Sequence, residues 1–588
     1  MYLRQGKTEN GRIHLSITQS YRNKEGKPTH KTLLTFGYLD KLAEEWKVSE
    51  DEALRRCKEK CKNMTDEHNK NTAPEYVEIK PNKRVSTKTT SIKNLGSAIP
   101  LAFYNAFDIE SCIRNKFNKL NTKYDANAIM RLLVIERLMN PRSRRTALQN
   151  KDNYFFKSDF NEIDMCRACK IYPQLKNIIV KRINDCADKL GYRHDLGNVF
   201  YDVTNYYFEI DEEDEWRRLG KGKENTKTPI IQMGLLQDKN ALPITYKLFP
   251  GNTNDYVTML PLLEELKSEY NLNKVTIVAD KGNNTSTNIA LAHLKGDGFI
   301  FSQSIRGTKS SQNLKKWVIE DSEYQSISND FKIKSKIDTK TVHISKENSI
   351  DRKAHTEEIT VKYVAYWSKK YEKRARHKRD RQIEKAKQII NLKSQNVDAQ
   401  YYSAAKYVKD CDLNLETGEL TEPVRNYELN TELIKQEEEC DGYYCIVTNR
   451  TDLSDREIID AYRGLWQIEE SFKITKSDLN ARPIFANSKE GIHSHFLICY
   501  IALAISRLIQ LSLQNRYSIR EIFSDLTQCN GTLVSRNWWL FGYRTNLTDL
   551  LYELIGIPKQ LEFIKLEEIK KYLKKDRIWN FLRYKKYY

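Results

Sequence analysis

Hydrophobic and polar positions change period several times along this chain, and each change marks an expected element. In the first forty residues Ile13, Leu15 and Ile17 alternate with polar neighbours, KEGK at 24–27 offers a turn, and KTLLTFGYL returns. A period of two flanking a turn predicts a hairpin over 11–40. A charged helix is expected over 41–68, followed by a polar, basic linker over 69–94 with at most one strand. Residues 95–195 take a helical period. Asp125 is placed to cap a helix whose apolar face holds Ile129, Leu132, Leu133 and Met139; Pro141 stops it, and Arg142, Arg144 and Arg145 follow. That arginine cluster suits either a grip on phosphates or a solvated helix end.

At residue 198 the pattern shifts to β-branched and aromatic runs. VFYDVTNYYFEI (199–210), IIQMGLLQD (230–238) and ALPITYKLF (241–249) read as three strands. A helix over 256–269 carries Met259, Leu260, Leu262, Leu263 and Leu266 inward. KVTIVAD (274–280) is a fourth strand, a helix spans about 285–296, and GFIFSQ (298–303) is a fifth strand. The order β-β-β-α-β-α-β is that of a ribonuclease-H-like core. Residues 304–440 interrupt it with strand-like runs (TVHISK, ITVKYVAYW) and a charged helix at about 368–392. GYYCIVTN (442–449) resumes strand character. Ser454 and Glu457 form a capping box that opens a helix through about 478, and further helices are expected over 488–575. Phe496–Ile505 is the most apolar stretch. At about half the roughly twenty residues a membrane span needs, it reads as a buried core helix ending before Ser506 and Arg507.

Charge narrows the class of partner. The 588 residues carry a formal charge of +19, a field that attracts polyanions. Residues 369–387 alone hold ten Lys/Arg against three acids, favouring a phosphate contact over a merely solvated face. The tail KKYLKKDRIWNFLRYKKYY alternates basic and aromatic residues, suited either to packing or to nucleic acid. Eleven cysteines form no framework. The single CxxC (Cys166, Cys169), the Cys57/Cys61 pair and the His493/His495 pair read as structural, and free thiols suit a reducing cytoplasm. With no apolar signal core at the N-terminus, an intracellular protein without membrane association is expected.

Three carboxylates carry the candidate chemistry. Asp202 lies inside the first core strand, where a charge is costly unless paired or metal-bound. Asp280 ends the fourth strand, at the kind of position that faces the crevice of α/β proteins. Glu469 lies in AYRGLWQIEESFKITKSDL, where Tyr462, Glu469 and Lys476, each seven apart, share a helical stripe flanked by Lys473. Three such carboxylates can hold two divalent metals. Trp466 is expected in the core beside Leu465 and Ile468, with base stacking as the alternative.

With these segments in view, the chain resembles the DDE transposases of bacterial insertion sequences, in the long-insertion branch of the insertion-sequence-four superfamily. The resemblance rests on YDVTNYYFE around Asp202, GLLQDKNALPITYKLFPGNTND (234–255), VADKGNNT around Asp280 and YRGLWQIEESFKITKSDLNARP around Glu469. GRIHLSITQSYRNKEGKPTHKTLLTFGYLD near the N-terminus adds to it. The superfamily's Tyr–Arg–Glu–Lys signature is met by Tyr462, Glu469 and Lys476, but Leu465 stands where the Arg would be, with Arg463 close by.

The resemblance implies an α/β multidomain protein with a ribonuclease-H-like catalytic core and a β-containing insertion. The expected divisions are an N-terminal hairpin, helix and linker region (1–94), a helical DNA-end-binding domain (95–197), the first part of the core (198–303), the insertion with its basic helix (304–440), the second part of the core (441–505) and a C-terminal helical region (506–588). It further implies that Asp202, Asp280 and Glu469 hold two Mg2+ ions, for which Mn2+ can substitute, and that Tyr462, Arg463, Lys473 and Lys476 contact DNA. The expected activity is cleavage at terminal inverted repeats and strand transfer into target DNA, by a homodimer on paired ends in the bacterial cytoplasm at the nucleoid. The rival expectations are an inert transposase-derived DNA-binding protein and a nuclease that cuts without joining.

Overall fold

A computed structural model describes residues 1–8, 10–22, 28–70, 91–192, 194–220, 228–270, 272–306, 312–344, 353–391, 399–409, 428–535, 537–558, 561–576 and 578. The chain divides into two compact units, residues 1–83 and 84–588. In the first, the expected hairpin is a three-stranded antiparallel sheet. Tyr2–Lys7 adds a strand that the sequence pattern did not reveal, pairing with Ile13–Arg22, which pairs with Pro28–Tyr38. The expected charged helix is two helices, Leu39–Trp46 and Glu50–Lys70, because Lys47 takes a left-handed backbone (φ 51°) and caps the first. Leu15, Leu39, Leu42, Ala53 and Cys57 close a small core between sheet and helices.

The second unit is organised on a nine-stranded sheet. Its strands are β1 (Asn198–Tyr207), β2 (Ile230–Gln237), β3 (Pro243–Pro250), β4 (Thr276–Ala279), β5 (Gly298–Gln303), β6 (Gln325–Ser328), β7 (Phe331–Ile344), β8 (His355–Ser368) and β9 (Tyr443–Thr448). They lie in the order β6-β7-β8-β9-β5-β4-β1-β2-β3. The five strands read from the sequence sit together as β5-β4-β1-β2-β3, with β4 parallel to both β1 and β5 and the rest of that meander antiparallel. This is the strand order expected of a ribonuclease-H-like core. The inserted segment does not stand apart from it. The 14-residue strands β7 and β8 pair along their full length, and β9 joins β8 to β5, so the insertion extends the core sheet edge to edge.

Alternation along β1 assigns the two faces. Val199, Tyr201 and Val203 face one core with α1 (Asp255–Tyr270) and α2 (Ser286–Leu294). Phe200, Tyr206 and Phe208 face the other, built with the helices that follow β9. These are α4 (Asp455–Arg463), α5 (Trp466–Lys473) and α6 (Lys489–Ser512), the basic α3 (Lys369–Ile390) belonging to the insertion. α6 is long and apolar enough to cross a membrane by composition, yet its apolar window is 94% buried within the protein. It is the core helix expected from the sequence, but its burial continues through Ser506, Arg507 and Gln510, past the expected end. The helical region before β1 wraps this helix, and Asp125 caps Ala126–Met139 through the Ala128 N–H at 2.9 Å.

Two expectations for the C-terminal part change. Residues 506–588 are not purely helical: Asn530–Ser535, Trp538–Phe541 and Phe563–Lys565 form a sheet with Ile92–Asn94, from the end of the expected linker. Most of that linker (71–90) and most of the basic-aromatic tail lie outside the described residues.

The continuous helix expected from Ser454 to about 478 is also divided. The Ser454–Glu457 capping box forms as read, but at Gly464 the path tightens. Leu465, Gln467 and Ile468 donate to carbonyls three residues back, those of Tyr462, Gly464 and Leu465, at 3.1–3.2 Å. Gly464 has ordinary helical dihedrals, so its role is close approach: a Cβ there would stand 2.6 Å from the Phe200 ring. Gly464→Ala is therefore expected to cost about 1–3 kcal/mol, as overpacking does, read as a lowered thermal midpoint; an unchanged midpoint would refute this packing.

Candidate active site

Parallel pairing of β1 with β4 runs from Asn198–Thr276 to Tyr201–Ala279 and stops there. Asp202, in the middle of β1, and Asp280, just past the end of β4, are the next residues in register, and adjacent strands lie about 4.8 Å apart. By alternation both belong to the face of Phe200 and Val278, the face on which α4 and α5 pack. Asp202 continues into pairing with Leu235 of β2 on its other side. The end of β4 opens the sheet beside Asp202, so a carboxylate in mid-strand is only half-buried, and Asp280 is exposed. Each turns one oxygen to the next amide: Asp202 Oδ1 accepts from the Val203 N–H at 2.7 Å, and Asp280 Oδ1 from the Lys281 N–H at 2.6 Å.

Glu469 arrives on α5. Ile468 and Phe472 are buried against the sheet side while Glu469 is exposed. Tyr462 links it to the strands. Its phenol stands near Ser302 and lies within electrostatic reach of both Asp280 and Glu469. Burial pushes the Tyr462 phenol up to about 12, and the negative charges of Asp280 and Glu469 add to the rise. Among the described residues no three carboxylate, His or Cys side chains converge closely enough to hold a metal ion. The donor chemistry itself fits hard divalent cations, since all three candidate ligands are carboxylates. Two come from one strand level and the third from an exposed, flexible side chain on the facing helix.

The helix is held from behind by residues that the motif did not indicate. Arg507, 3% exposed on α6, donates to Glu470 Oε2 at 3.2 Å, to Ser471 Oγ at 2.9 Å and to Gln510 Oε1 at 2.8 Å. Ser471 in turn donates to Gln237 Oε1 at the end of β2, at 2.9 Å. After Lys473 the helix widens into a π turn, Ile474–Asp478, closed by the Leu479 N–H donating to the Ile474 carbonyl at 2.8 Å. Arg137 caps it through the carbonyls of Leu479 and Asn480 at 3.2 and 3.0 Å. The apolar pattern reads Arg507 as the end of the buried stretch, and it is buried instead because the carboxylate and hydroxyl of the neighbouring helix meet it.

The remaining site residues separate. Lys476 places Nζ 5.5 Å from the centre of the Tyr206 ring on β1. Lys473 is exposed. Arg463 turns toward the insertion, with its guanidinium 4.9 Å from the centre of the Phe331 ring. Leu465 is buried in the core. Trp466 corrects the expectation that it packs: it is 58% exposed. The tight turn at Gly464 gives the inward positions to Leu465 and Ile468, and leaves Trp466 on the solvent side with Glu469 and Lys473, at i, i+3 and i+7. In the arginine cluster, Arg144 is used structurally, donating to the Gly491 carbonyl at 3.2 Å, while Arg142 and Arg145 are exposed. In the basic helix, Arg379 is buried against Asp441 at 2.6 Å, and most of the other cations are exposed.

The chain is similar to the piggyBac transposase in its synaptic complex with hairpin DNA, at 9% identity over 81% of this chain and 84% of that one, with a TM-score of 0.36. No curated protein matches. The model of the IS1634 family transposase N-terminal domain matches residues 3–71, within the first compact unit. The model of the transposase DDE domain matches residues 202–505, from the first candidate carboxylate through most of the core helix α6 and over more than half of the chain. The chain belongs to the DDE transposases of bacterial insertion sequences, of the IS1634 type.

Proposed function

We propose that this transposase binds the terminal inverted repeats of its insertion sequence, cleaves the DNA at their ends and joins the freed 3′-hydroxyls to target DNA. The observation that supports the reading is that Asp202 and Asp280 share one sheet face by strand register, the face on which the helix bearing Glu469 packs. Membership in a family of polynucleotidyl-transferase type supports it.

Asp202, Asp280 and Glu469 would hold two Mg2+ ions. When bound, these supply activation of an attacking water or 3′-hydroxyl and stabilisation of the leaving oxygen. The chain's own groups position the DNA. Tyr462, with its phenol held protonated at neutral pH, donates a hydrogen bond to a phosphate oxygen beside Asp280 and Glu469. Lys473 and Lys476 neutralise the phosphates on either side of the scissile bond, and Arg463 contacts the backbone from the insertion side. Trp466 stacks on a base at the cut end, a role its exposure supports. The helical region 95–197 reads the terminal repeat, and two copies of the chain act on paired ends.

Two measurements test this reading. A plasmid bearing a marker between the gene's own flanking sequences is incubated with the protein and Mg2+. The wild type is expected to release ends with 3′-hydroxyls and to form joined products. Asp202→Ala, Asp280→Ala and Glu469→Ala are each expected to lose both steps by more than about a hundredfold, beyond the cost of losing an outer-sphere group, while retaining DNA binding. A fully active Asp280→Ala protein would sink the triad; binding without any cleavage by the wild type would identify an inert DNA-binding protein; and cleavage without joining, a nuclease. In the same assay Trp466→Ala is expected to slow cleavage about tenfold while Trp466→Phe preserves it, the difference one stacked base makes. Thermal stability should be unchanged in both, because the ring is exposed; equal activity of the Ala and Phe proteins would remove the stacking role.

A further inference from the structure

Beyond the carboxylates, the face that carries Asp202 continues across β9, β8 and β7 and changes character. Phe331, Tyr366 and Tyr444 form a ladder of rings across the three strands. Tyr366 and Tyr444 stack at 5.5 Å with planes 10° apart, and Phe331 lies 5.8 Å from Tyr366. Tyr371, in the first turn of α3, approaches Tyr444 at 5.0 Å. The two ends of the ladder differ. At one end Arg463 covers Phe331, and Tyr366 is only 2% exposed. At the other Tyr444 is 41% exposed, although Tyr366 and Tyr371 both pack against it.

The partly exposed end adjoins both the candidate active site and a cationic track. Tyr444 is within electrostatic reach of Tyr462, the phenol that stands beside Asp280 and Glu469, and of Arg374 on α3. Lys370, Arg374, Lys378 and Arg381 are all exposed, and their spacing of four, four and three places them along one side of that helix. Stacked rings ending in a partly exposed one, beside a row of cations, match what unpaired nucleotides need: aromatic surface for a base and positive charge for its phosphates. Base-paired DNA offers the phosphates but keeps its base faces covered.

We propose that Tyr444, with Tyr371 beside it and Arg374 at its edge, is a stacking site for unpaired bases of a DNA strand that leaves the carboxylates across the insertion. This rests on the proposed function for its setting, but its test is a binding measurement that needs no cleavage. Binding of the full-length protein to a fluorescein-labelled oligothymidine 12-mer and to a blunt duplex of equal length would be followed by anisotropy. Tyr444→Ala is expected to weaken oligothymidine binding about tenfold, within the range measured for single stacked bases, and to leave duplex binding unchanged. Tyr444→Phe should bind both as the wild type does. Arg374→Glu should weaken both and flatten the salt dependence. Oligothymidine binding unaffected by Tyr444→Ala, or an equal loss on duplex, overturns the proposal. Photocrosslinking of the unaltered protein to oligothymidine carrying 5-iododeoxyuridine gives a check that no folding defect can confound. Crosslinked peptides should include Tyr444 or Tyr371, and crosslinks confined to other segments overturn the proposal. A wild type that retains duplex but not oligothymidine defeats this inference alone; one that retains neither defeats the proposed function as well.

Discussion

Everything in the candidate site depends on where one pair of parallel strands stops. β1 and β4 exchange hydrogen bonds up to Tyr201 and Ala279, and the next residue on each is an aspartate. A carboxylate inside a closed sheet would lose its hydration without recompense. One residue past the end of its neighbour, it keeps the strand's rigidity and still reaches solvent. The pairing therefore fixes the separation of two like charges and accounts for the tolerance of an Asp in the middle of a β-branched, aromatic strand.

The third carboxylate is fixed by different means. Glu469 is exposed, so no packing of its own side chain holds it; its helix is held instead. Gly464 lets the start of α5 settle onto Phe200, Arg507 grips Glu470 and Ser471 from the core helix, and Arg137 closes the π turn beyond Lys473. A buried arginine stripped of partners would be strongly destabilising, so these contacts also commit the helix to one position. The result is an exposed acid on a helix whose packing is fixed against the sheet face that carries Asp202 and Asp280.

Much of this was legible in the sequence, for identifiable reasons. The five core strands, α1 and the Ser454 capping box follow from local periodicity and local hydrogen-bonding chemistry, and each appears within a few residues of its expected limits. What failed was non-local. The strand Tyr2–Lys7 is made by pairing rather than by an apolar pattern, since most of its residues are exposed. The one strand allowed for the linker forms at Ile92–Asn94, but its partners, more than four hundred residues away, were not legible. Trp466 was expected inside because its neighbours are apolar. A single tight turn at Gly464 decided which of them faced in, and that turn depends on a contact with Phe200 in a distant strand. Arg507 was taken as the end of a buried stretch because sequence alone cannot display the carboxylate and hydroxyl that meet it.

The insertion extends the same sheet, so the surface bearing the carboxylates runs without a break into one bearing aromatic rings. The account stands or falls on the carboxylates acting as one metal site. Replacing Mg2+ with Fe2+ and adding ascorbate and peroxide cuts the polypeptide wherever the bound ion sits. The prediction is three coincident cuts, close to Asp202, Asp280 and Glu469, all suppressed by excess Mg2+. Cuts at one of these positions alone, or only at sites elsewhere, would contradict it.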